Sequence, residues 1–441
     1  MTHPPRPWTV LGAVATGQLM VGVDATILAL AVPGIDADLN LAAGTLAWVM
    51  AGYVLAAGSL MIAGGRIAQA VGYRRVMTVG LVTFGLASAI GGAATEGWVL
   101  VAARVAQGVG AAAMTPAAMA RLSAAFPHEA RSRAYGIFGM IMGSGTAIGL
   151  VLGGLLTQTL GWRACMYVNV AFVAIALILS SLGQDRIEQS ADHGRGWWRG
   201  IVLAAGVASI IQSLISVDDF VQSLAFGVTG ITVVAVFAVS DQRSHAPLVP
   251  FGVFRNPTRR VAYVGLFMWG IATINTFVTA SGSLQDVHQI PPLAVGLLFL
   301  VYPASIQLGL FVGRRIAPRP ETWSIGVGLA LLGAGQIVFA LAPEALATVL
   351  GALVLMGLGT SQIMPNANSA MNRDAGKHAG VAGAVGTTLQ QLGGSVGLAV
   401  PVALAAVTTQ SVSVTATLTA LALVLASIVA LRQSASLVGL P

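Results

Sequence analysis

Charge is what this chain has least of: Asp, Glu, Lys and Arg make up 8% of its 441 residues, against roughly 25% in soluble globular proteins. With 56% of residues hydrophobic, water is not the main solvent of such a surface. Cysteine is almost absent. Cys165 stands alone, which excludes an intrachain disulfide and leaves the redox compartment open. Lys377 is the single lysine, and the net charge of +7 is not gathered on a polar domain of the kind that binds nucleic acid. The basic residues fall instead in short segments between apolar runs, the arrangement that sets membrane topology. Also missing are a Gly-x4-Gly-Lys-Ser/Thr nucleotide loop, a Gly-x-Ser-x-Gly elbow and any His/Cys metal spacing. His3, His128, His193, His245, His288 and His378 are scattered over separate loops. No enzyme, no metal and no cofactor is expected from this chain.

What is present is apolar length. A helical span needs roughly 20 mostly apolar residues. Runs of that kind lie near 8–31, 45–69, 76–94, 98–120, 134–158, 164–183, 200–217, 220–239, 261–282, 293–313, 322–342, 345–367, 379–405 and 411–431. They predict an all-α integral membrane protein of about fourteen spans. The first run is longer than the roughly 7–15-residue apolar core of a cleaved signal peptide, so it reads as an uncleaved span. Residues 8–183 and 261–431 hold six spans each, near-equal halves that suggest duplication. The expected organisation is therefore an N-terminal six-helix bundle (1–183), central loops with two additional helices (184–260) and a C-terminal six-helix bundle (261–441). Gly65-Arg66-Ile67-Ala68 and Gly313-Arg314-Arg315-Ile316-Ala317 close the second span of each half, a short echo of the same kind.

Basic residues set orientation, because cytoplasmic loops retain Lys and Arg. With a cytoplasmic N-terminus, all but Arg104 and Arg163 of the 22 basic residues fall at inner loops or helix ends. Arg66, Arg74, Arg75, Arg121, Arg131, Arg133, Arg186, Arg195, Arg199, Arg255, Arg259, Arg260, Arg314, Arg315 and Arg319 are all counted there. Both termini are expected in the cytoplasm, and the chain in the bacterial cytoplasmic (inner) membrane.

An ionised group at mid-membrane costs about 2.5–3.5 kcal/mol on insertion scales, so those that persist are candidates for function. Asp24, in Val23-Asp24-Ala25-Thr26-Ile27, is the one acid placed inside a span. Low-dielectric surroundings disfavour a carboxylate anion, which makes this group a candidate to take up and release a proton. The bland alternative is a carboxyl near the outer interface, hydrogen-bonded to a neighbouring helix and never titrating. Arg104 opens a face of the fourth span with Gln107, Gly108, Ala111 and Thr115, at helical spacings of three and four. A guanidinium stays charged, so Arg104 either holds a carboxylate or staples helices through backbone carbonyls. Gly145, Gly149, Gly153 and Gly154 place a small face on the fifth span, and Gly383, Gly386, Gly393, Gly394 and Gly397 do so on the thirteenth. Such faces allow close helix packing, with a sliding contact as the functional addition. Candidate cavity residues are the uncharged polar groups Gln107, Trp269, Thr273, Asn275, Thr276, Gln362, Asn366 and Gln390, and such groups can equally well cross-link helices.

These residues resemble the fourteen-helix drug:proton antiporters of the major facilitator superfamily. Val23 to Ile27 with Ala31-Val32-Pro33 is similar to that family's first-helix signature. Arg104-Val105-Ala106-Gln107-Gly108-Val109-Gly110 is similar to its fourth-helix motif. Gly149-Leu150-Val151-Leu152-Gly153-Gly154, with Gly161-Trp162-Arg163 and Val168-Asn169-Val170, resembles the fifth-helix antiporter motif and the segment after it. Gly65, Gln69, Gly72, Arg74 and Arg75 fall in a stretch that looks like the family's gating loop. Ser283-Leu284-Gln285, Pro303 and Gln390-Gln391-Leu392-Gly393-Gly394 are similar to patterns of the second half. The chain departs from the family where Gln69 replaces an acid, Ala70 and Tyr73 replace arginines and Leu150 replaces a proline.

The resemblance implies a major facilitator fold, two six-helix bundles plus two extra central helices. It implies Asp24 as a proton or substrate site with Arg104 as its electrostatic partner. The expected activity is proton-coupled export of a lipophilic drug or secondary metabolite by alternating access, from a monomer whose partners are substrate, protons and the bilayer. Without a nucleotide loop, any active transport is expected to be driven by an ion gradient or a partner subunit; the membrane gradient would supply about 2.3 kcal/mol per charge per 100 mV plus any pH term. A symporter or facilitator on the same scaffold, or a ligand sensor, remain the alternatives. The longest polar loop, 184–199, is short for a sensor's output domain.

Overall fold

A computed structural model of the chain describes residues 7–126, 128–183, 198–216, 219–244, 247–249, 251–313, 319–373, 379–405 and 411–438. Arg186, Arg195, Asp218, Arg314, Arg315 and Lys377 lie outside the described residues. The described residues are helical throughout, with no strand among them. In chain order the helices are α1 (Pro7–Leu39), α2 (Ala43–Val71), α3 (Tyr73–Gly92), α4 (Gly97–Ala125), α5 (His128–Leu160), α6 (Trp162–Leu182), α7 (Trp198–Ile215), α8 (Phe220–Gln242), α9 (Pro257–Gly282), α10 (Pro292–Phe299), α11 (Val301–Gly313), α12 (Glu321–Leu341), α13 (Leu346–Asn372), α14 (Ala379–Ala405) and α15 (Ser411–Val438).

Only helices satisfy every backbone group within one lipid-exposed segment, and the apolar runs dictate this architecture. Among the described residues, twelve stretches are long and apolar enough to cross a membrane, with α10 and α11 counted as one. Adding α5 and α14 gives the fourteen spans expected, and the protein is a multi-pass membrane protein. The span predicted at 293–313 is broken after Phe299, because Pro303 has no N–H to donate four residues back. Leu300 N–H instead reaches the Leu297 carbonyl (3.1 Å). Single glycines join α2 to α3 and α5 to α6. Gly72 (φ 108°) and Gly161 (φ 80°) adopt left-handed conformations that side chains disfavour.

Two compact units make up the chain: Met1–Ala205 with Pro291–Gly296, and Gly206–Ile290 with Leu297–Pro441. Each repeats one packing scheme. In the first unit α1 packs on α5 and α6, and α4 on α2 and α3; in the second α9 packs on α14 and α15, and α13 on α11 and α12. Glycines set the register of both. A Cβ on Gly153 would stand 2.9 Å from Ile27 O, and one on Gly397 would stand 2.9 Å from Ile271 Cα. Gly149 meets the Val23 carbonyl, and Gly393 meets that of Phe267. One constant shift in numbering therefore carries Val23, Ile27, Gly149 and Gly153 onto Phe267, Ile271, Gly393 and Gly397. A second shift carries Tyr53, Ala56, Gly108 and Gly110 onto Tyr302, Ser305, Gly357 and Gly359, which make the corresponding close approaches. The duplication suggested by near-equal halves is thus visible in backbone contacts.

Candidate functional site

The two charges singled out in the sequence meet inside the first unit. Arg104 Nη1 donates to Asp24 Oδ2 at 2.7 Å, with Asp24 fully buried and Arg104 1% exposed. Both oxygens of the carboxylate are engaged, because Asn169 Nδ2 donates to Oδ1 at 2.7 Å. The guanidinium also donates from Nε to Val49 O (3.1 Å) and from Nη1 to Gln107 Oε1 (2.7 Å). Its planar face lies 4.4 Å from the centre of the Tyr53 ring, a cation–π contact strengthened by desolvation. Gln107 Nε2 donates to Ser88 Oγ at 2.7 Å, and the Ser88 hydroxyl in turn donates to Phe84 O at 2.7 Å. Five helices, α1, α2, α3, α4 and α6, contribute to this chain of bonds. A buried ion pair survives only with good geometry and further hydrogen bonds to its charged groups; here both carboxylate oxygens and the Arg104 Nε and Nη1 nitrogens are engaged.

The small face of α5 holds α1 in place beside this network. A Cβ on Gly145 would stand 3.4 Å from Gly22 Cα, and one on Gly149 2.8 Å from Val23 O. Gly22, Val23, Thr26 and Ile27 flank Asp24, so the glycines fix the helix that carries the carboxylate. Gly154 lies against Pro291–Gly296, where a Cβ would stand 2.6 Å from Leu293 Cα. The internal repeat makes the site one-sided. The shifts that match the two units carry Asp24 onto Met268, Arg104 onto Leu353 and Gln107 onto Met356, all incapable of ionising.

Gln107 needs a correction. It was expected to line a cavity, but it has no exposed surface, and its amide is committed to Arg104 and Ser88. In the second unit the candidate cavity residues divide. Thr273, Asn275 and Thr276 are buried, whereas Trp269, Gln362, Asn366 and Gln390 keep partial exposure. Thr276 accepts from Gln336 Nε2 at 2.8 Å. Trp269 Nε1 donates to Thr360 Oγ1 at 2.8 Å, and the Tyr302 hydroxyl lies 2.9 Å from the same oxygen. Asn366 Nδ2 is turned back onto Gln362 O (2.7 Å).

At the expected gating loop the structure has one linking residue, Gly72, which makes the turn; Gln69 on the last turn of α2 and Arg74 and Arg75 on the first turn of α3 are exposed. The close helix contact falls at Gly64, whose Cβ would collide with the Ala112 carbonyl; Gly65 has room, 3.5 Å from Pro116 Cβ. Arg163 pairs with Asp38, which also accepts from Trp162 Nε1 (3.0 Å), and donates to Ala94 O (3.0 Å). This staple ties the ends of α1 and α3 to the start of α6.

Two arginines counted only for topology turn out to be buried. Arg121, expected among the loop and helix-end residues, donates to Ser180 Oγ (2.7 Å) from within α4. Arg259 donates to Met371 O (3.2 Å), Arg373 O (2.8 Å) and Val253 O (3.3 Å). Sequence reasoning missed Tyr53, Ser88 and the bond that Asn169 makes. Asn169 stood within a quoted motif, and its polarity inside an apolar span was the available signal.

The family profile described as Major Facilitator Superfamily matches residues 14–398. The puromycin resistance protein pur8 of Streptomyces alboniger is 34% identical over 415 residues, covering 90% of this chain and 81% of the relative. The tetracenomycin C resistance and export protein of Streptomyces glaucescens is 30% identical, covering 90% and 75%. The cephamycin export protein CmcT of Amycolatopsis lactamdurans is 30% identical, covering 89% and 84%. Among solved structures, the POT family transporter PepTSo superposes with a TM-score of 0.70 at 12% identity, covering 98% of this chain and 99% of its own, which speaks for the fold alone. A profile matched over most of the length, a duplicated six-helix unit and relatives aligned over about nine-tenths of this chain agree: this chain belongs to the major facilitator superfamily.

Proposed function

We infer that the protein is a proton-coupled exporter of lipophilic small molecules, drugs or secondary metabolites, working by alternating access. The observation that carries this reading is the buried Asp24–Arg104 pair, present in one half of a duplicated scaffold and replaced by Met268 and Leu353 in the other. A group that costs energy to bury and that the repeat does not need for folding has another use. Efflux as the direction is supported by the names of the relatives, which are resistance and export proteins. Proton binding at Asp24 neutralises the carboxylate and weakens its hold on Arg104; loss of the proton restores the pair.

The proposal extends to a bacterial cytoplasmic membrane, cytoplasmic termini and a monomer. It keeps α7 and α8 as an addition between two six-helix bundles. Trp269, Gln362, Asn366 and Gln390 are the polar side chains proposed to meet substrate. The deciding experiment uses purified protein in vesicles with an imposed pH difference and a panel of lipophilic compounds. Compound accumulation that dissipates the pH difference supports exchange. Accumulation with no proton movement, or proton movement in the same direction as the compound, overturns it.

A further inference from the structure

The site contains one side chain whose chemistry suits both charge states of Asp24. Asn169 sits on the buried face of α6 with Cys165, Val173 and Ala176, and it has no exposed surface. Its Nδ2 donates to Asp24 Oδ1, while its own Oδ1 has no hydrogen-bond partner. An ionised carboxylate only accepts, so the amide must present nitrogen to it, and the carbonyl is left over. A protonated Asp24 reverses the requirement, because its new O–H needs an acceptor. Arg104 has none to offer, since a guanidinium carries donors alone, and Gln107 Oε1 already accepts from Arg104. The ionisable groups around Asp24 are Arg104 on α4, Tyr53 on α2 and Cys165 on α6. α5 brings glycine to this stretch of α1.

We propose that Asn169 is the reversible hydrogen-bond partner of Asp24, a positioning residue that serves both halves of the proton cycle. With Asp24 ionised, the amide donates through Nδ2. When a proton arrives on the carboxylate, the amide turns over and its free Oδ1 accepts the new O–H. No bond is formed or broken at Asn169, and the proton stays on Asp24 until the pair with Arg104 re-forms. Such a partner keeps a buried carboxyl satisfied in either state, where an unpaired polar group would resist one of them. This rests on Asp24 being the proton carrier, and its test separates the two ideas.

The experiment is pH-difference infrared spectroscopy on the full chain in lipid vesicles, with isotope-labelled asparagine. Acidification is expected to raise a carboxylic acid band that Asp24→Asn lacks, together with a shift in an asparagine side-chain amide band that Asn169→Leu lacks. Asn169→Leu, with neither donor nor acceptor, should lower exchange roughly ten-fold at every pH, about one buried charge-assisted hydrogen bond, without moving the midpoint of the pH profile. Asn169→Ser, whose hydroxyl donates or accepts by rotating, should recover part of the rate. A donor-only Asn169 would favour the anion alone, so its loss would move the midpoint up by roughly one pH unit, with no asparagine band changing in the wild type; that result overturns the proposal. It is also overturned if Tyr53→Phe, rather than Asn169→Leu, shifts the acid band. Absence of any Asp24 acid band would instead bring down the proton reading itself, and this proposal with it.

Discussion

Gly149 of α5 faces Val23 of α1 so closely that a Cβ on the glycine would stand 2.8 Å from the Val23 carbonyl oxygen. That oxygen belongs to the helix backbone one residue before Asp24, so it cannot swing aside as a side-chain tip would. Gly149→Ala should therefore push α1 and α5 apart, costing about 1–3 kcal/mol as overpacking does, and should cut transport. The control is Gly383→Ala on α14, where a new Cβ meets nothing within 4 Å and alanine is the better helix former by about 0.5–1 kcal/mol. Thermal unfolding in detergent and vesicle transport would check both. Equal stability of the two variants would show that the close approach does not constrain α1.

The coupling prediction concerns the ion pair beyond that contact. Asp24→Asn should abolish gradient-driven export while the protein stays folded, because the new amide oxygen can still accept from Arg104. Arg104→Lys should keep the charge but lose the fork that reaches Asp24, Val49 and Gln107 together, leaving partial transport, and Arg104→Ala should leave none. A substrate gradient built by Asp24→Asn from an imposed pH difference would make the carboxylate structural.

The fold was legible because apolar length is a one-dimensional signal: fourteen runs predicted fourteen spans, with continuity broken, among the described residues, only near Pro303. Asp24 and Arg104 were legible because a charge inside such a run is conspicuous. Their junction with Tyr53, Ser88 and Asn169 was not, since α2, α3 and α6 approach through three-dimensional packing that no spacing encodes. Gln107 shows the same limit: its helical face was right, but whether that face met a cavity or a neighbouring helix depended on Ser88 of α3. Arg121 does lie within four residues of the end of α4, but its burial was not legible, because its bond to Ser180 of α6 depends on three-dimensional packing.

At Gln69 the chain carries an amide on the exposed last turn of α2. An acid there would face the C-terminal end of that helix, where backbone carbonyls already concentrate negative charge, and would need Arg74 or Arg75 beyond Gly72 to hold it. Gln69→Asp is expected to preserve transport and to shift the population toward the outward-facing state. Cysteine accessibility on the two membrane faces measures that shift; identical labelling in both proteins would show that Gln69 is not a gating position.

Orientation is tested most simply by reporter fusions. Fusions after Arg75, Arg133, Arg199 and Arg260 should all report the cytoplasm, since basic residues are retained on that side. A periplasmic signal at Arg199 combined with a cytoplasmic one at Ala42 would reverse the assignment.

Arg259 separates topology from structure within one side chain. It is 5% exposed, and its guanidinium donates to the carbonyls of Met371 and Arg373, where α13 ends, and to Val253 before α9. The last carbonyls of a helix lack intrahelical donors, and a cation among them also meets the negative end of the helix dipole. Retaining positive charge is enough for insertion, so Arg259→Lys should keep the orientation. It should not keep the stability, because one ammonium cannot reach three carbonyls that a planar fork spans. Arg259→Lys is expected to lose about 1–3 kcal/mol and Arg259→Ala rather more, the scale of buried acceptors left without their donors. Thermal unfolding and reporter fusions measured on the same variants check the two effects independently. If Arg259→Lys matched the wild type in unfolding, charge rather than the three-carbonyl clamp would be what the position requires.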